Sequence, residues 1–144
     1  MMLTSRGRYA VMALLELAAL SKFNKPVSLL KLSAAQNISL KYLEQIFCKL
    51  KKAGLVKSIK GPGGGYILNN SSDKINIANI FDAVSENIKM TKCTESKTSC
   101  MPGNIKCKTH ELWRGLGDQI RNYFTHISVA DLVDGQVPSY LQQL

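Results

Sequence analysis

Apolar residues recur at intervals of three and four in the first part of the chain, from Tyr9 to Leu20. Because this spacing places them on one face of an α-helix, the segment predicts an amphipathic helix that packs on a core. Thr4 or Ser5 can cap its first turn. Glu16 interrupts the apolar run, which is also too short to cross a bilayer. The pattern therefore predicts a helix of a cytoplasmic protein with no membrane partner, and not a signal peptide.

Two shorter helical patterns follow, joined by a tight turn. Ser28 can cap a helix that carries Leu29 and Leu32, and Ser39 can cap another that ends at Gly54. Two short helices joined in this way are typical of a helix-turn-helix, although most helical hairpins bind no DNA. The polar face of the second helix carries residue types that reach base edges and phosphates. These residues are Ser39, Lys41, Tyr42, Glu44, Gln45, Cys48 and Lys52.

Residues 55–60 and 66–68 predict two strands joined by a glycine-rich turn, Gly61-Pro62-Gly63-Gly64-Gly65. Lys60 adjoins the turn, and glycine lets a backbone come close to a sugar-phosphate chain. Two strands with a basic tip after a polar helix predict a DNA-binding wing. A nucleotide-binding loop is disfavoured because the turn has no Gly-Lys-Ser/Thr ending and opens no helix.

The second half of the chain predicts a short strand and three further helices. Ile75 and Ile77 suggest a short strand, residues 77–84 fit a helix, and Ser128 can cap a final short helix. Between them, residues 109–127 predict a long helix with a strong apolar stripe. The stripe consists of Leu112, Trp113, Leu116, Ile120, Tyr123, Phe124 and Ile127. Such a stripe predicts either ordinary core packing or contact with a helix of a second subunit.

The positive charge is confined to the first half of the chain. Residues 1–62 contain eleven Lys or Arg against two Glu, whereas residues 63–144 contain eight basic and eight acidic residues. The whole net charge of +9 therefore belongs to the predicted helix-turn-helix and wing, which indicates a polyanion partner for that part. A lysine surface kept for solubility alone would spread the charge more evenly.

Four metal-ligating residues lie in an otherwise polar segment, spaced as Cys93-x6-Cys100-x6-Cys107-x2-His110. A polar loop cannot order itself by burial, but three thiolates and an imidazole can close round one metal centre. The residues alone leave three alternatives: an iron–sulfur site, structural zinc, or metal-free thiol sensing. Wide spacing disfavours zinc, which prefers closely spaced cysteine pairs.

The fourth cysteine, Cys48, is expected on the polar face of the third helix, either as an inert surface thiol or as a site whose oxidation blocks DNA binding. His126 is expected on the surface or at an interface and not as a ligand. An enzyme is disfavoured because the chain shows no nucleophile–base pair, paired carboxylates or nucleotide loop. A cluster carrier could use the same four ligands but would need no basic winged module.

Several motifs resemble the bacterial winged-helix repressors, and in particular their iron–sulfur cluster regulators, the IscR branch. The resemblance covers residues 2–135. It is carried by LTSRGRYA at residues 3–10, ISLKYLEQ at 38–45, GLV at 54–56, KGPGGGY at 60–66 and CKTHELW at 107–113.

This resemblance implies a homodimeric repressor of iron–sulfur cluster assembly genes that binds operator DNA. It implies one 2Fe–2S cluster per subunit on Cys93, Cys100, Cys107 and His110, with cluster-assembly proteins as expected donors. The implied DNA-binding residues are Ser39, Lys41, Tyr42, Glu44, Gln45, Lys60 and Gly61. We expect Arg6, Tyr9 and Lys52 to contact DNA as well. In the family the Glu position is linked to choosing between two operator classes. A nitric oxide-sensing or iron-sensing repressor of the same family is the alternative.

The chain departs from the family pattern in two places. Six residues separate successive cysteines where about five are usual, and Lys60 stands where arginine is common, which replaces a bidentate donor with a point charge. The expected architecture is mainly α with a small β wing, a winged helix-turn-helix domain plus a long C-terminal dimerisation helix. We expect the DNA-binding domain at 1–87, the cluster-binding loop at 88–110, and the dimerisation helix with its tail at 111–144.

Overall fold

The computed structural model describes residues 3–91 and 100–138, which form six α-helices and one two-stranded antiparallel sheet. The helices are α1 (Ser5–Leu20), α2 (Leu29–Gln36), α3 (Leu40–Lys52), α4 (Ile77–Ala83), α5 (His110–Thr125) and α6 (Val129–Val133). The strands are β1 (Val56–Ile59) and β2 (Gly65–Leu68). The predicted fold class, mainly α with a small β wing, is confirmed. None of the helices in the described ranges is long and apolar enough to cross a membrane.

The predicted hydroxyl caps begin the first three helices. Each cap oxygen accepts a hydrogen bond from a backbone N–H group in the first helical turn, which would otherwise have no partner. The pairs are Thr4 with Gly7 at 3.4 Å, Ser28 with Lys31 at 3.2 Å and Ser39 with Tyr42 at 3.2 Å. Local sequence signals therefore fix where the helix-turn-helix begins and turns.

The core of the winged module surrounds α1. Leu14 and Leu17 of α1 are fully buried together with Phe47 of α3 and Ile80 of α4. Burial of one such side chain stabilises the fold by about 1.5–3 kcal/mol. The same contacts leave the opposite face of α3 in solvent, which is the face that carries the predicted DNA contacts.

The root of the wing is joined to the segment before α2. Val56 pairs with Leu68 at one end of the sheet and Ile59 with Gly65 at the other. Val27 exchanges two backbone hydrogen bonds with Tyr66, of 2.9 and 2.8 Å. A Cβ atom on Gly65 would lie 2.4 Å from the Val27 carbonyl carbon and oxygen, so no larger residue fits there. The last glycine of the turn thus serves the fold, while residues 61–63 are exposed.

The short strand suggested by Ile75 and Ile77 is wrong. Ile77 is the first residue of α4, and the pairing nearby is a single bridge between Asn76 and Ser128. Asn76 caps α4 by accepting a hydrogen bond of 2.8 Å from the Asn79 N–H group, while the Asn79 side chain accepts one of 3.1 Å from Asn76. This reciprocal cap starts a helix at a position where alternating isoleucines indicated a strand.

The C-terminal part of α5 packs on α4. Phe124 meets Phe81 edge to face, with ring centroids 4.9 Å apart. Arg121 donates hydrogen bonds of 2.9 and 2.7 Å to the two oxygens of Asp82. These hydrogen bonds from the Arg121 guanidinium lower the pKa of Asp82. Nearer the start of α5, Leu112 and Leu116 are 59% and 41% exposed, so part of its apolar stripe has no partner in the subunit core.

A buried carboxylate, Glu86, holds the first turn of α1. Its side chain accepts hydrogen bonds from the Thr4 N–H group at 2.9 Å, from the Gly7 N–H group at 3.1 Å and from the Thr4 hydroxyl. Glu86 is only 6% exposed. A carboxylate at a helix N-terminus also interacts favourably with the helix dipole, so this contact stabilises α1 by charge as well as by hydrogen bonding.

The Glu86 contact predicts an unusual effect of a glycine substitution. A Cβ atom at Gly7 would lie 2.6 Å from Glu86 Oε2 and 2.7 Å from its Cδ, so Gly7→Ala must displace the carboxylate. We expect a loss of about 1–3 kcal/mol in the free energy of unfolding, as for other overpacked sites. Urea unfolding followed by circular dichroism measures it.

Gly115→Ala is the matched control, because among the described residues no atom outside the neighbouring backbone of α5 lies within 4 Å of the added Cβ. There alanine should stabilise the helix by about 0.5–1 kcal/mol through its higher helix propensity. If Gly7→Ala and Gly115→Ala changed the free energy of unfolding by the same amount, the close packing of Gly7 on Glu86 would be contradicted.

Candidate DNA interface and metal-binding loop

The exposed face of α3 presents the predicted base-reading residues to solvent. Lys41, Glu44, Gln45 and Lys52 are all exposed there. The apolar seam of the same helix, with Leu43 and the residues that follow it at helical spacing, is buried in the core. Because the buried seam fixes the rotation of α3 about its axis, the polar side chains project away from the subunit on one face.

Ser39 and Tyr42 lie at the start of α3 and have roles within the subunit, although Ser39 is also exposed. The Ser39 hydroxyl caps α3, and Tyr42 is half-buried with its ring edge to face against Tyr9 of α1, at a centroid distance of 5.9 Å. The aromatic pair joins the start of the recognition helix to the first turns of α1. Tyr9 therefore has a structural role in the subunit besides any contact with DNA.

Arg6 is half-buried and is held by the end of α4. Its Nη2 atom donates a hydrogen bond of 2.9 Å to the Ser85 carbonyl group. Its Nε atom is buried, with no hydrogen-bond partner among the described residues. The motif at residues 3–10 supplies two predicted DNA contacts, Arg6 and Tyr9. In the subunit, Arg6 is hydrogen-bonded to Ser85, and Tyr9 lies against Tyr42 of α3.

The wing carries the remaining predicted DNA contacts. Lys60 and Gly61 are exposed at the tip, and Gly61 has a backbone φ of 104°, which glycine adopts readily. Lys51 at the end of α3 donates a hydrogen bond of 2.9 Å to the Ser58 hydroxyl in β1. The wing is therefore connected to the recognition helix at its base and free at its tip, as a groove-contacting element requires.

The candidate metal ligands that the structure describes lie around the start of α5. Cys100 and Cys107 flank a turn closed by a hydrogen bond of 3.1 Å from the Met101 N–H group to the Ile105 carbonyl group. His110 is the first residue of α5 and is only 6% exposed. Its Nδ1 atom lies 3.1 Å from the Cys100 sulfur, so two of the predicted ligands are in direct contact.

Cys107 lies at the edge of the same site. The Thr109 side chain occupies the cap position of α5 but does not cap the helix; its hydroxyl instead lies 3.5 Å from the Cys107 sulfur. Hydrogen bonds to this sulfur from the Thr109 side chain, and then from Cys100, lower the pKa of Cys107. A lowered pKa favours the thiolate, which is the form that binds metals.

The fourth predicted ligand, Cys93, lies outside the described residues. Within residues 3–91 and 100–138, no three His, Cys, Asp or Glu side chains are grouped closely enough to hold a metal ion. The described part thus brings Cys100 and His110 together and places Cys107 nearby. It does not assemble a complete ligand set.

Two further residues lie where the sequence predicted. Cys48 is exposed on α3. His126 is exposed at the end of α5, with its Nδ1 atom 2.8 Å from the Asn122 carbonyl oxygen, far along the helix from His110. Neither residue joins the candidate ligands.

Residues 3–135 match the model of the Rrf2 family, described as an iron-dependent transcriptional regulator. The chain belongs to the Rrf2 family. An HTH-type transcriptional regulator IscR of Erwinia tasmaniensis is 46% identical over 136 residues, which are 94% of this Rrf2 chain and 81% of that one. The fold of this chain is similar to that of T. potens IscR, with a TM-score of 0.73 and 27% sequence identity; the match covers 99% of this chain and 96% of that one.

A second solved structure has a similar fold and belongs to a regulator of a different process. CymR, the global cysteine regulator of B. subtilis, has a TM-score of 0.78 and 28% identity, covering 94% of this chain and 98% of its own. The Rrf2 relatives are transcriptional regulators and not enzymes. This chain is accordingly a DNA-binding transcriptional regulator with a winged helix-turn-helix, which confirms the function class predicted from the sequence.

Sequence reasoning missed Glu86 and the pair formed by Asp82 and Arg121. Glu86 is 79 and 82 positions from its partners, and Asp82 is 39 positions from Arg121. No local spacing marks such partners. The available signal was a single acidic residue between the apolar residues Val84 and Ile88, and it did not indicate a buried site.

Lys52 provides a test of the exposed face of α3 as the DNA interface. Lys52→Ala should weaken binding to all duplex sequences alike and lower the slope of log K against log salt by about one, because one phosphate contact is lost. Fluorescence anisotropy with several duplexes over a salt series measures both quantities.

Lys74→Ala is the control, since Lys74 is exposed in a 3-10 turn outside α3 and the wing. The salt slope of this variant should equal that of the wild type. A wild-type slope for Lys52→Ala, or a loss confined to one sequence, would contradict the assignment of Lys52 to phosphate contact.

Proposed function

We propose that this Rrf2 protein is a homodimeric repressor that senses an iron–sulfur cluster and controls the genes of cluster assembly in the cytoplasm. Cys93, Cys100, Cys107 and His110 would hold one 2Fe–2S cluster per subunit, and cluster-assembly proteins would supply it. The observation that carries the proposal is the 3.1 Å contact between the Cys100 sulfur and His110 Nδ1 at the start of α5.

The donor set fits such a cluster. Thiolates hold iron–sulfur clusters, and imidazole replaces thiolate in some of them. His110 is buried, and its Nδ1 atom lies beside the Cys100 sulfur, where a carboxylate or carbonyl group is the more usual partner of an imidazole. When bound, the cluster supplies a redox-active centre whose presence reports on cluster supply. The chain's own residues supply the thiolates. At Cys107 the hydrogen bond from the Thr109 hydroxyl lowers the pKa and so favours the thiolate form.

The protein reads DNA with the residues that project from α3 and the wing. Lys41, Gln45 and Lys60 are exposed donors, and Glu44 is an acceptor suited to cytosine. Ser39 and Tyr42 fix the start of α3, so they position the other residues in the groove. Two copies of this surface, one from each subunit, would contact successive major grooves of an operator.

The apolar stripe of α5 supports association of two subunits. Leu112, Leu116 and Tyr123 are 59%, 41% and 40% exposed. An apolar hollow of about 350 Å³ adjoins the same helix and is lined in part by Val11 and Phe124. Apolar surface of this kind on a helix marks an interaction site, and a second α5 has the complementary pattern.

An iron-responsive repressor without a cluster is the second candidate, because the matched family model is described as iron-dependent. In that case iron would bind the protein without acid-labile sulfide. Iron and sulfide content of protein purified without oxygen distinguishes the two candidates.

The ligand assignment predicts the effect of removing one thiolate. Cys107→Ala should lose the visible absorption and the bound iron and sulfide of oxygen-free preparations, and should change affinity for one class of operator. Absorption spectra, iron and sulfide counts and gel shifts measure these properties. Cys48→Ala is the matched control, since Cys48 is exposed on α3 and far in sequence from the ligands, and it should keep its cluster. Retained colour in Cys107→Ala would refute the assignment.

The proposed dimer predicts that a charge on the α5 stripe separates the subunits. Leu116→Glu should sediment as a monomer and lose most of its operator affinity, because a carboxylate would be buried in an apolar interface. Asn122→Glu adds the same charge on the opposite face of α5 and should sediment like the wild type. A dimeric Leu116→Glu protein would show that another surface joins the subunits.

A further inference from the structure

The segment between α4 and the metal-binding loop contacts both α1 of the DNA-binding module and α5. Glu86 in this segment binds the first turn of α1 through Thr4 and Gly7. Two residues later, Ile88 is 6% exposed and belongs to the core. Ile88 also lies against α5, since its carbonyl oxygen is the nearest atom, at 3.9 Å, to a Cβ placed on Gly117. The same short stretch therefore contacts the DNA-binding module and the helix that begins with His110.

The backbone of this segment is fixed where it leaves α4. The Glu86 N–H group donates a hydrogen bond of 2.8 Å to the Phe81 carbonyl group. Ser85 has a φ of 58°, a left-handed conformation that serine rarely adopts, and its carbonyl group accepts the hydrogen bond from Arg6. Displacement of the segment would thus disturb two contacts with α1 at once, one through Glu86 and one through Arg6.

The first turns of α1 are in turn joined to the recognition helix. Tyr9 lies less than two turns after Thr4 and meets Tyr42 edge to face at 5.9 Å. Tyr42 is in the first turn of α3, next to Lys41 and Glu44. A continuous set of contacts therefore runs from Glu86 through Thr4 and Gly7 to the start of the recognition helix.

We propose that Glu86 is the positioning residue that conveys cluster occupancy to the recognition helix. The inference rests on the proposed function and names the contact by which its two sites are coupled. Ligation at His110 would fix the start of α5, which lies against Ile88 at Gly117, and would so restrain the segment that carries Glu86. The restrained carboxylate holds α1, and through Tyr9 it sets the position of Tyr42. Without the cluster, this restraint through α5 is absent, and the segment is held by its contacts with α1, with α4 and with the core alone.

A purely structural cap would have a different signature. A residue that only stabilises α1 changes the stability of the protein and its DNA affinity equally with and without the cluster. A residue that couples the two sites changes the ratio of those affinities. The ratio, measured on the same operator, is therefore the decisive quantity.

The experiment compares wild-type dimer with Glu86→Gln, each loaded without oxygen and each stripped of its cluster. Gln keeps the size of the side chain but replaces one acceptor oxygen with a donor, which faces the donors Thr4 and Gly7. Iron, sulfide and visible spectra check loading, and anisotropy gives both affinities. Coupling of this kind is typically about 5–150-fold. We expect a wild-type ratio in that range, and a Glu86→Gln ratio close to one with unchanged cluster content.

Two further variants test whether the effect belongs to the contact between Glu86 and α1. Gly7→Ala displaces the same carboxylate from the α1 side and should reduce the ratio in the same way. Asp131→Asn is the matched control, because Asp131 accepts a hydrogen bond of 2.8 Å from the Ser128 N–H group at the start of α6, away from the Glu86 contacts. It removes an equivalent capping carboxylate and should keep the wild-type ratio.

The outcomes separate this inference from the proposed function. Wild-type protein that loads no cluster, or whose ratio is one, overturns the proposed function and with it the inference, before any variant is made. A wild-type ratio above one that persists in Glu86→Gln and in Gly7→Ala overturns the inference alone, and leaves Glu86 as a helix cap. A ratio close to one in Asp131→Asn would also overturn the inference, since weakening any helix cap would then be enough to remove the effect of the cluster on DNA affinity.

Discussion

The carboxylate of Glu86 is the contact on which the arrangement of the subunit depends. It satisfies N–H groups of the first turn of α1 that no helical carbonyl group can reach, and it does so from a buried position. Because α1 forms the centre of the core, its placement fixes α3, and α3 carries the exposed polar face. A single buried acid thereby relates the segment before the metal-binding loop to the surface that reads DNA.

Most of the fold could be predicted from local sequence signals. Thr4, Ser28 and Ser39 are short-range caps whose partners lie three residues away, so the starts of three helices follow from the sequence. The wing followed from its glycines. The suggested strand at Ile75 failed because the cap formed by Asn76 decided that segment. Glu86 could not be predicted, since its partners are about eighty residues away and only the folded chain brings them together.

For the candidate metal site, the sequence indicates which residues are candidate ligands, but it does not predict how their side chains are arranged. Spacing identified the cysteines and His110, and the contact of Cys100 with His110 agrees with it. The part played by Thr109 was not foreseen, because a threonine before a helix normally caps it, whereas here its hydroxyl faces the Cys107 sulfur. The concentration of positive charge in residues 1–62 likewise predicts that this half meets DNA.

The join between Val27 and Tyr66 divides the wing into two parts with different tolerance for change. At Gly65 the neighbouring backbone leaves no room for a side chain, so no other residue can replace glycine at the base of the hairpin. Around Gly61 and Gly63, no described atom beyond the adjoining residues lies within 4 Å of an added Cβ, although both glycines have positive φ angles. Related regulators could therefore diversify the tip residues, with Asn or Asp in place of glycine, and acquire new groove preferences while the hairpin beneath stays the same.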